Sequence, residues 1–267
     1  MMTIKLIASD LDGTLLDEHG GISERTKEAI RRAEKKGVLF TFATGRMYRS
    51  ALPFAQELNL DLPLITYEGA LIKTSHTQEV IRHRPLPVDL AKEIITIGDQ
   101  EHLSVNVYVD DEIYVHRETE AVQDYSRMVR VPYTKVDHLQ SFLEQPPTKV
   151  IYIGEEERLL RLWGELKEQF GDQAYITKST PHFLEFTHPQ ATKGNGIQVL
   201  SQILNIKQEE IMAFGDNFND LSLLRSAGLA VAMENGREEL KKEADFVTSS
   251  NREDGVAQAI EQFVLSE

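Results

Sequence analysis

The chain of 267 residues carries a formal net charge of −14, is 41% hydrophobic and has no cysteine. That length supports a sizeable buried core in one large domain or two, and the composition is that of a soluble globular protein. The acidic balance argues against a nucleic-acid backbone as partner, because such binding needs clustered Lys and Arg. Lack of cysteine excludes disulfides, thiolate metal sites and a cysteine nucleophile, and fits a reducing compartment. An anionic small molecule stays compatible, since one local cation dominates a site whatever the global charge. No apolar run has bilayer length, and the start lacks the basic region, apolar core and cleavage site of a secretory signal. A cytoplasmic protein with no membrane partner is therefore expected.

In chain order, Ile4-Lys5-Leu6-Ile7-Ala8 reads as an apolar strand that runs into Asp10-Leu11-Asp12-Gly13-Thr14. Residues two apart share one side of a strand, so Asp10 and Asp12 are expected to crowd at its carboxyl end. Two carboxylates 4 Å apart repel by about 4 kcal/mol at an effective dielectric near 20. Such a pair persists where a cation offsets the repulsion or where one member takes a proton and works as an acid. An ordinary acidic turn is the alternative. Ser23 then caps a helix to about Lys36, with Gly37 at its end. Val38 to Ala43 is a strand, Thr44-Gly45-Arg46 opens a helix to about Leu58, and Leu62 to Tyr67 is a third strand. This alternation predicts a parallel sheet with crossover helices.

From Leu86 to Thr187 the texture changes. A helix near Val88–Asp99 precedes strands at Leu103–Val109 and Ile113–His116, joined by the Asp110-Asp111-Glu112 turn. After Pro146-Pro147 come a strand at Lys149–Ile153, a helix from Glu155 to Phe170, and strands at Ala174–Thr177 and Phe183–Thr187. Adjacent strands with polar turns predict an antiparallel sheet with helices. The alternating pattern then returns, with a helix from Lys193 to Leu204, a strand at Glu210–Phe214, the turn Gly215-Asp216-Asn217-Phe218-Asn219-Asp220, strands at Leu229–Met233 and Phe246–Thr248, and helices around them. The expected architecture is a Rossmann-like α/β core domain from residues 1–85 and 188–267, with an α+β cap domain inserted at 86–187.

Open α/β sheets bind ligands at their strand ends, and four of these ends carry polar clusters. Thr44-Gly45-Arg46 offers a hydroxyl and backbone donors for an anion, or a plain helix cap. Lys193 gains nothing from the positive end of its helix, so function and structure are equally natural there. The turn Gly215 to Asp220 supplies oxygen ligands of the kind magnesium prefers, or is a solvated loop. Together the clusters supply carboxylates, a hydroxyl, an amide, backbone donors and a lysine, the inventory of phosphoryl transfer.

These motifs strongly resemble those of the haloacid dehalogenase-like phosphohydrolases, specifically the Cof-type branch with a large inserted cap. Asp10 to Thr14 is similar to the first motif of that family, Thr44-Gly45 to the second, Lys193 to the third and Gly215 to Asp220 to the fourth. The resemblance implies that Asp10 attacks phosphorus to form an aspartyl phosphate and that Asp12 is the general acid and base. It implies Mg2+ held by Asp10, the backbone carbonyl of Asp12 and Asp216. It further implies that Leu11 and Gly45 amides, Thr44, Lys193 and Asn219 bind the phosphoryl oxygens, with Asp220 orienting Lys193 or metal-bound water.

The substrate so implied is a small phosphorylated metabolite, a sugar phosphate or cofactor precursor, under a closing lid. A phosphomutase of the same superfamily and a non-catalytic phospholigand sensor are the alternatives. One departure stands out: many relatives carry Asn-Gly after the third strand, where this chain has Glu68-Gly69. Glu68 is expected to face the cap or leaving group. Arg46, His182 and Glu185 either read the leaving group or serve surface and hinge roles. His76, His83, His102, His116 and His138 follow no metal-ligand spacing. Oligomeric state does not follow from the sequence.

Overall fold

The computed structural model describes residues 3–266. The chain begins with β1 (Leu6–Ser9), α1 (Glu24–Lys35), β2 (Leu39–Phe42), α2 (Tyr48–Glu57), β3 (Pro63–Thr66), β4 (Leu71–Thr74) and β5 (Val80–His83). Its middle comprises α3 (Val88–Gln100), β6 (Ser104–Val109), β7 (Glu112–Val115), α4 (Glu120–Val129), β8 (Tyr133–Lys135), α5 (Leu139–Phe142), β9 (Lys149–Ile153), α6 (Glu156–Phe170), β10 (Tyr175–Thr180) and β11 (Phe183–Thr187). It closes with α7 (Lys193–Leu204), β12 (Ile211–Gly215), α8 (Leu221–Leu224), β13 (Leu229–Met233), α9 (Glu238–Glu243), β14 (Phe246–Thr248) and α10 (Gly255–Ile260).

Both ends of the chain build one parallel sheet in the order β14-β13-β12-β1-β2. Its strands alternate between two buried faces, as period-2 geometry requires. Ile7, Phe40, Phe42, Met212, Phe214 and Val231 pack toward α1 and α10 through Ile30, Val256 and Ile260. Leu6, Ala8, Ala213, Ala230 and Ala232 pack toward α7 and α8 through Ile197, Leu200 and Leu223. β1 is central, and Ser9 pairs in register with Phe42 on one side and Phe214 on the other. Parallel register therefore sets Asp10, Thr44 and Asp216 on one edge of the sheet. Ser23 caps α1 as expected, its Oγ accepting from the Thr26 amide at 3.1 Å.

All strands of a second, six-stranded sheet lie between α3 and α7, in the order β10-β11-β9-β6-β7-β8. It is antiparallel except at its edge, where β8 runs parallel to β7. Asp110 and Asp111 form the two-residue β6–β7 turn with φ of 50° and 62°, left-handed conformations that aspartate tolerates. One face, with Val105, Val107, Val150, Tyr152 and Leu184, packs on α3 and α6. The other face carries Tyr108, Lys149, Ile151 and Glu185, and Tyr108 and Ile151 join the same apolar cluster as Phe42 and Tyr67.

Two expectations need correction. Residues 62–67 were expected to form a third parallel strand, but β3 pairs antiparallel with β4, which pairs with β5 in a separate three-stranded sheet. One parallel bridge, Ala43 to Ile65, ties it to the main sheet. The cause is local: Tyr67, Glu68 and Gly69 have φ of 50°, 60° and 107°, which folds the chain back as a hairpin. Helix α2 begins at Tyr48, not directly after Arg46, and the Thr44 hydroxyl accepts from the Arg46 amide within the loop at 3.2 Å. Helix α4, capped by Thr119, and strand β8 were not anticipated. No described helix is long and apolar enough to cross a membrane.

Candidate active site

Asp10 follows the central strand and is 5% exposed. Lys193, fully buried at the first turn of α7, places Nζ 2.8 Å from Asp10 Oδ1 and 2.6 Å from Asp220 Oδ1. Thr192 caps α7 by accepting from the Asn195 amide at 3.1 Å, which sets the direction from which the lysine enters. Asp220 is held in turn, its Oδ2 accepting from the amides of Asp216 at 2.9 Å and Asn217 at 3.0 Å. The Thr14 hydroxyl donates to Asp216 Oδ1 at 2.7 Å. One ammonium thus serves a cluster of carboxylates. Burial, opposed by Lys193 and reinforced by Asp220 and Asp216, holds the Asp10 carboxyl well above its ordinary range. Burial and Asp220 push Asp216 up to about 6. Burial disfavours the Lys193 ammonium, but Asp10 and Asp220 more than offset it and raise its pKa well above the usual value.

These shifts describe a site that gains from a further cation. Asp10, Asp216 and Asp220 each offer a carboxylate oxygen, with all three oxygens within 4.8 Å of one another. Clustered oxygens with excess negative charge, two of the three carboxylates buried and Asp216 partly so, suit a hard divalent ion. Gly13 makes the approach possible: its φ is 76°, and a Cβ there would lie 2.5 Å from Asp216 Oδ2. Gly13→Ala is expected to cost about 1–3 kcal/mol from the strained backbone and displaced carboxylate, measured by urea unfolding.

Asp12 lines the same cavity as Asp10 and adds to the negative charge acting on it. Regular strand geometry ends at Ser9, and Asp12 lies in the turn beyond it with φ −75° and ψ 123°. Its carboxylate accepts from Arg46 Nε at 2.7 Å and Nη2 at 2.6 Å, a bidentate pair. Leu11, between the two aspartates, buries its side chain in the core. Gly45 lies under Glu68, where a Cβ would clash with Glu68 Oε1, and Asn219 Nδ2 donates to that same oxygen at 2.9 Å.

A cavity of about 210 Å³ joins this edge to the six-stranded sheet and is lined by Asp10, Asp12, Thr44, Gly45, Arg46, Glu68 and Asn219. Its other walls were not foreseen: Lys149 from β9, Met47, Tyr125, Met128 and Val129, and Phe183 beside Glu185 on β11. Lys149 is buried, donating to Glu185 Oε2 at 2.8 Å and across to the Gly45 carbonyl at 3.0 Å. A lysine opening an otherwise apolar strand was the signal for it. Arg46 and Glu185 line the cavity, whereas His182 sits exposed in the β10–β11 turn with its Nδ1 3.2 Å from the Gly154 carbonyl. His83 pairs with the Thr148 hydroxyl at 2.9 Å, and among the described residues the acidic cluster is Asp10, Asp216 and Asp220, without a histidine.

The profile of the haloacid dehalogenase-like hydrolases matches residues 7–260. The chain belongs to that family. It is similar to the 5-amino-6-(5-phospho-D-ribitylamino)uracil phosphatase YitU of Bacillus subtilis, 32% identical over 97% of each chain. It is also similar to the pyridoxal phosphate phosphatase YbhA of Escherichia coli, 30% identical over 97% of this chain and 98% of that one. Among solved structures, the haloacid dehalogenase subclass IIB sugar phosphatase BT4131 superposes with a TM-score of 0.84 at 29% identity, covering 97% of this chain and 98% of its own. The family assignment makes this chain a hydrolase, and the sheet topology gives it a parallel α/β core with a mostly antiparallel sheet inserted between α3 and α7.

Proposed function

We propose that this hydrolase is a magnesium-dependent phosphatase of a small phosphorylated metabolite, working in the cytoplasm through an aspartyl phosphate on Asp10. The observation that carries the proposal is the buried Asp10 carboxylate at the end of the central strand, 2.8 Å from the Lys193 ammonium and inside a cluster of hard oxygen donors. Asp10 would attack phosphorus as the bond to the ester oxygen breaks, and Asp12 would protonate the departing alcohol. Asp12 would then take a proton from water as it releases phosphate from Asp10. Lys193, Thr44, Asn219 and the amides of Leu11 and Gly45 would hold the phosphoryl oxygens, with Asp220 keeping Lys193 in place. Asp10, the Asp12 carbonyl and Asp216 would hold Mg2+, which neutralises phosphoryl charge when bound. Residues 86–187 would act as the cap, excluding bulk water from the cavity. Relatives named for 5-amino-6-(5-phospho-D-ribitylamino)uracil, pyridoxal phosphate and a sugar phosphate support a small substrate.

Phosphate release from p-nitrophenyl phosphate and a panel of phosphorylated metabolites tests this reading. Release with Mg2+ that stops in EDTA is the expected result. A folded protein that releases phosphate from none of them in Mg2+ would overturn it.

A further inference from the structure

Glu68 lines the cavity between Gly45 and Asn219, two residues proposed to hold the phosphoryl oxygens. The β3–β4 turn places it there in a left-handed conformation, φ 60°, fixed by its amide donating to the Thr44 carbonyl at 3.0 Å. It is fully buried and lines the cavity. Oε1 accepts from Asn219, but Oε2 has no hydrogen-bond partner among the described residues. A buried carboxylate oxygen without a donor is costly, and proteins seldom keep one without a use.

The neighbouring cations are directed at other acceptors, and none of them bonds Oε2. Lys193 is held by Asp10 and Asp220, Lys149 by Glu185 and the Gly45 carbonyl, and Arg46 by Asp12. A donor carried by the ligand would satisfy this oxygen. Burial, opposed by Lys193, pushes the Glu68 carboxyl up to about 6, so at neutral pH it is mainly ionised and an acceptor only. Away from this oxygen the cavity turns apolar, with Met47, Tyr125, Met128, Val129 and Phe183 along its walls. Tyr125 and Phe183 meet edge to face with ring centroids 5.2 Å apart. A polyol would leave hydroxyls unpaired against that wall, whereas a ring would gain contact.

We propose that Glu68 is a specificity-determining residue whose free oxygen accepts a hydrogen bond from an N–H or O–H group on the leaving alcohol, which selects phosphomonoesters bearing such a donor close to the ester on an otherwise apolar, ring-sized body. The inference rests on the phosphatase reading above and names the substrate class of the same site.

The test uses a matched pair, benzyl phosphate and 3-aminobenzyl phosphate, which differ only in the donor, with p-nitrophenyl phosphate as reference. Wild-type enzyme should favour the amino ester by about 10- to 100-fold in kcat/KM, chiefly through KM, the range of a hydrogen bond to a charged group. In Glu68→Ala that ratio should fall to near one, and in Glu68→Gln, which keeps a side chain of the same size beside Asn219, to an intermediate value. A structural defect alone would lower both esters together and leave the ratio unchanged, and that result overturns the proposal. So does a wild-type ratio near one, or turnover of the reference with neither benzyl ester accepted. Failure to hydrolyse the reference as well would instead overturn the phosphatase reading.

Discussion

Asp10→Asn is expected to lower phosphate release by at least about 10⁴-fold while the protein stays folded, because an amide cannot serve as the nucleophile and covalent catalysis then has no first step. The exchange preserves shape, and an amide oxygen can still accept from Lys193, 2.8 Å from Asp10 Oδ1 in the native site. It also removes one of the charges that crowd with Asp216 and Asp220. Thermal unfolding in EDTA should therefore show a midpoint equal to or above that of the wild type. Single-turnover assays with acid quench should trap phosphate on the wild-type protein and none on the variant. A variant that turns over at the native rate would refute the assignment of Asp10.

Lys193→Met is expected to be the most damaging single change to stability. The lysine is fully buried between two acids, one of which, Asp220, is itself fully buried. Methionine fills comparable space but leaves both carboxylates without their cation, and removing one partner of a buried ion pair costs about 3–5 kcal/mol. Against a typical domain stability of about 5–15 kcal/mol, that is a large fraction. Urea unfolding in EDTA should show the loss, and adding Mg2+ should restore part of it, since an ion bound to the folded protein neutralises the same carboxylates. Turnover should be lost with the cation that faces the phosphoryl group. A change of under about 1 kcal/mol would mean that the pair contributes little and that Asp10 and Asp220 find another partner.

The two predictions differ in how much of their basis was visible before folding. That Asp10 follows an apolar strand and that Lys193 opens a helix was legible from local pattern: strand formers before Asp10, and the return of alternating helices and strands from Lys193 onward. The distance between them was not, because the two residues are far apart in the chain and meet only through the register of β1 with β12 and the packing of α7 on that sheet. The same limit explains β3. Its residues read correctly as a strand, but pairing depends on the left-handed turn at Tyr67, Glu68 and Gly69, and side chains other than glycine rarely announce such a turn. Helix α4 escaped notice as a short amphipathic segment between strands, yet it supplies Tyr125, Met128 and Val129 to the cavity.

By itself, the sequence determined the alternation of strands and helices, the change of texture across the middle of the chain, and the strand ends that bear acids, hydroxyl and lysine. Those properties are local, set by side-chain period, caps and turns within a few residues. Only the tertiary structure decided that Asp12 pairs with Arg46, that Lys149 reaches from the second sheet to the Gly45 carbonyl, and that Glu68 keeps one oxygen free beside an apolar wall. The reason is physical: which donor satisfies which buried acceptor depends on separations of a few ångströms between elements remote in the chain, and no local pattern encodes them.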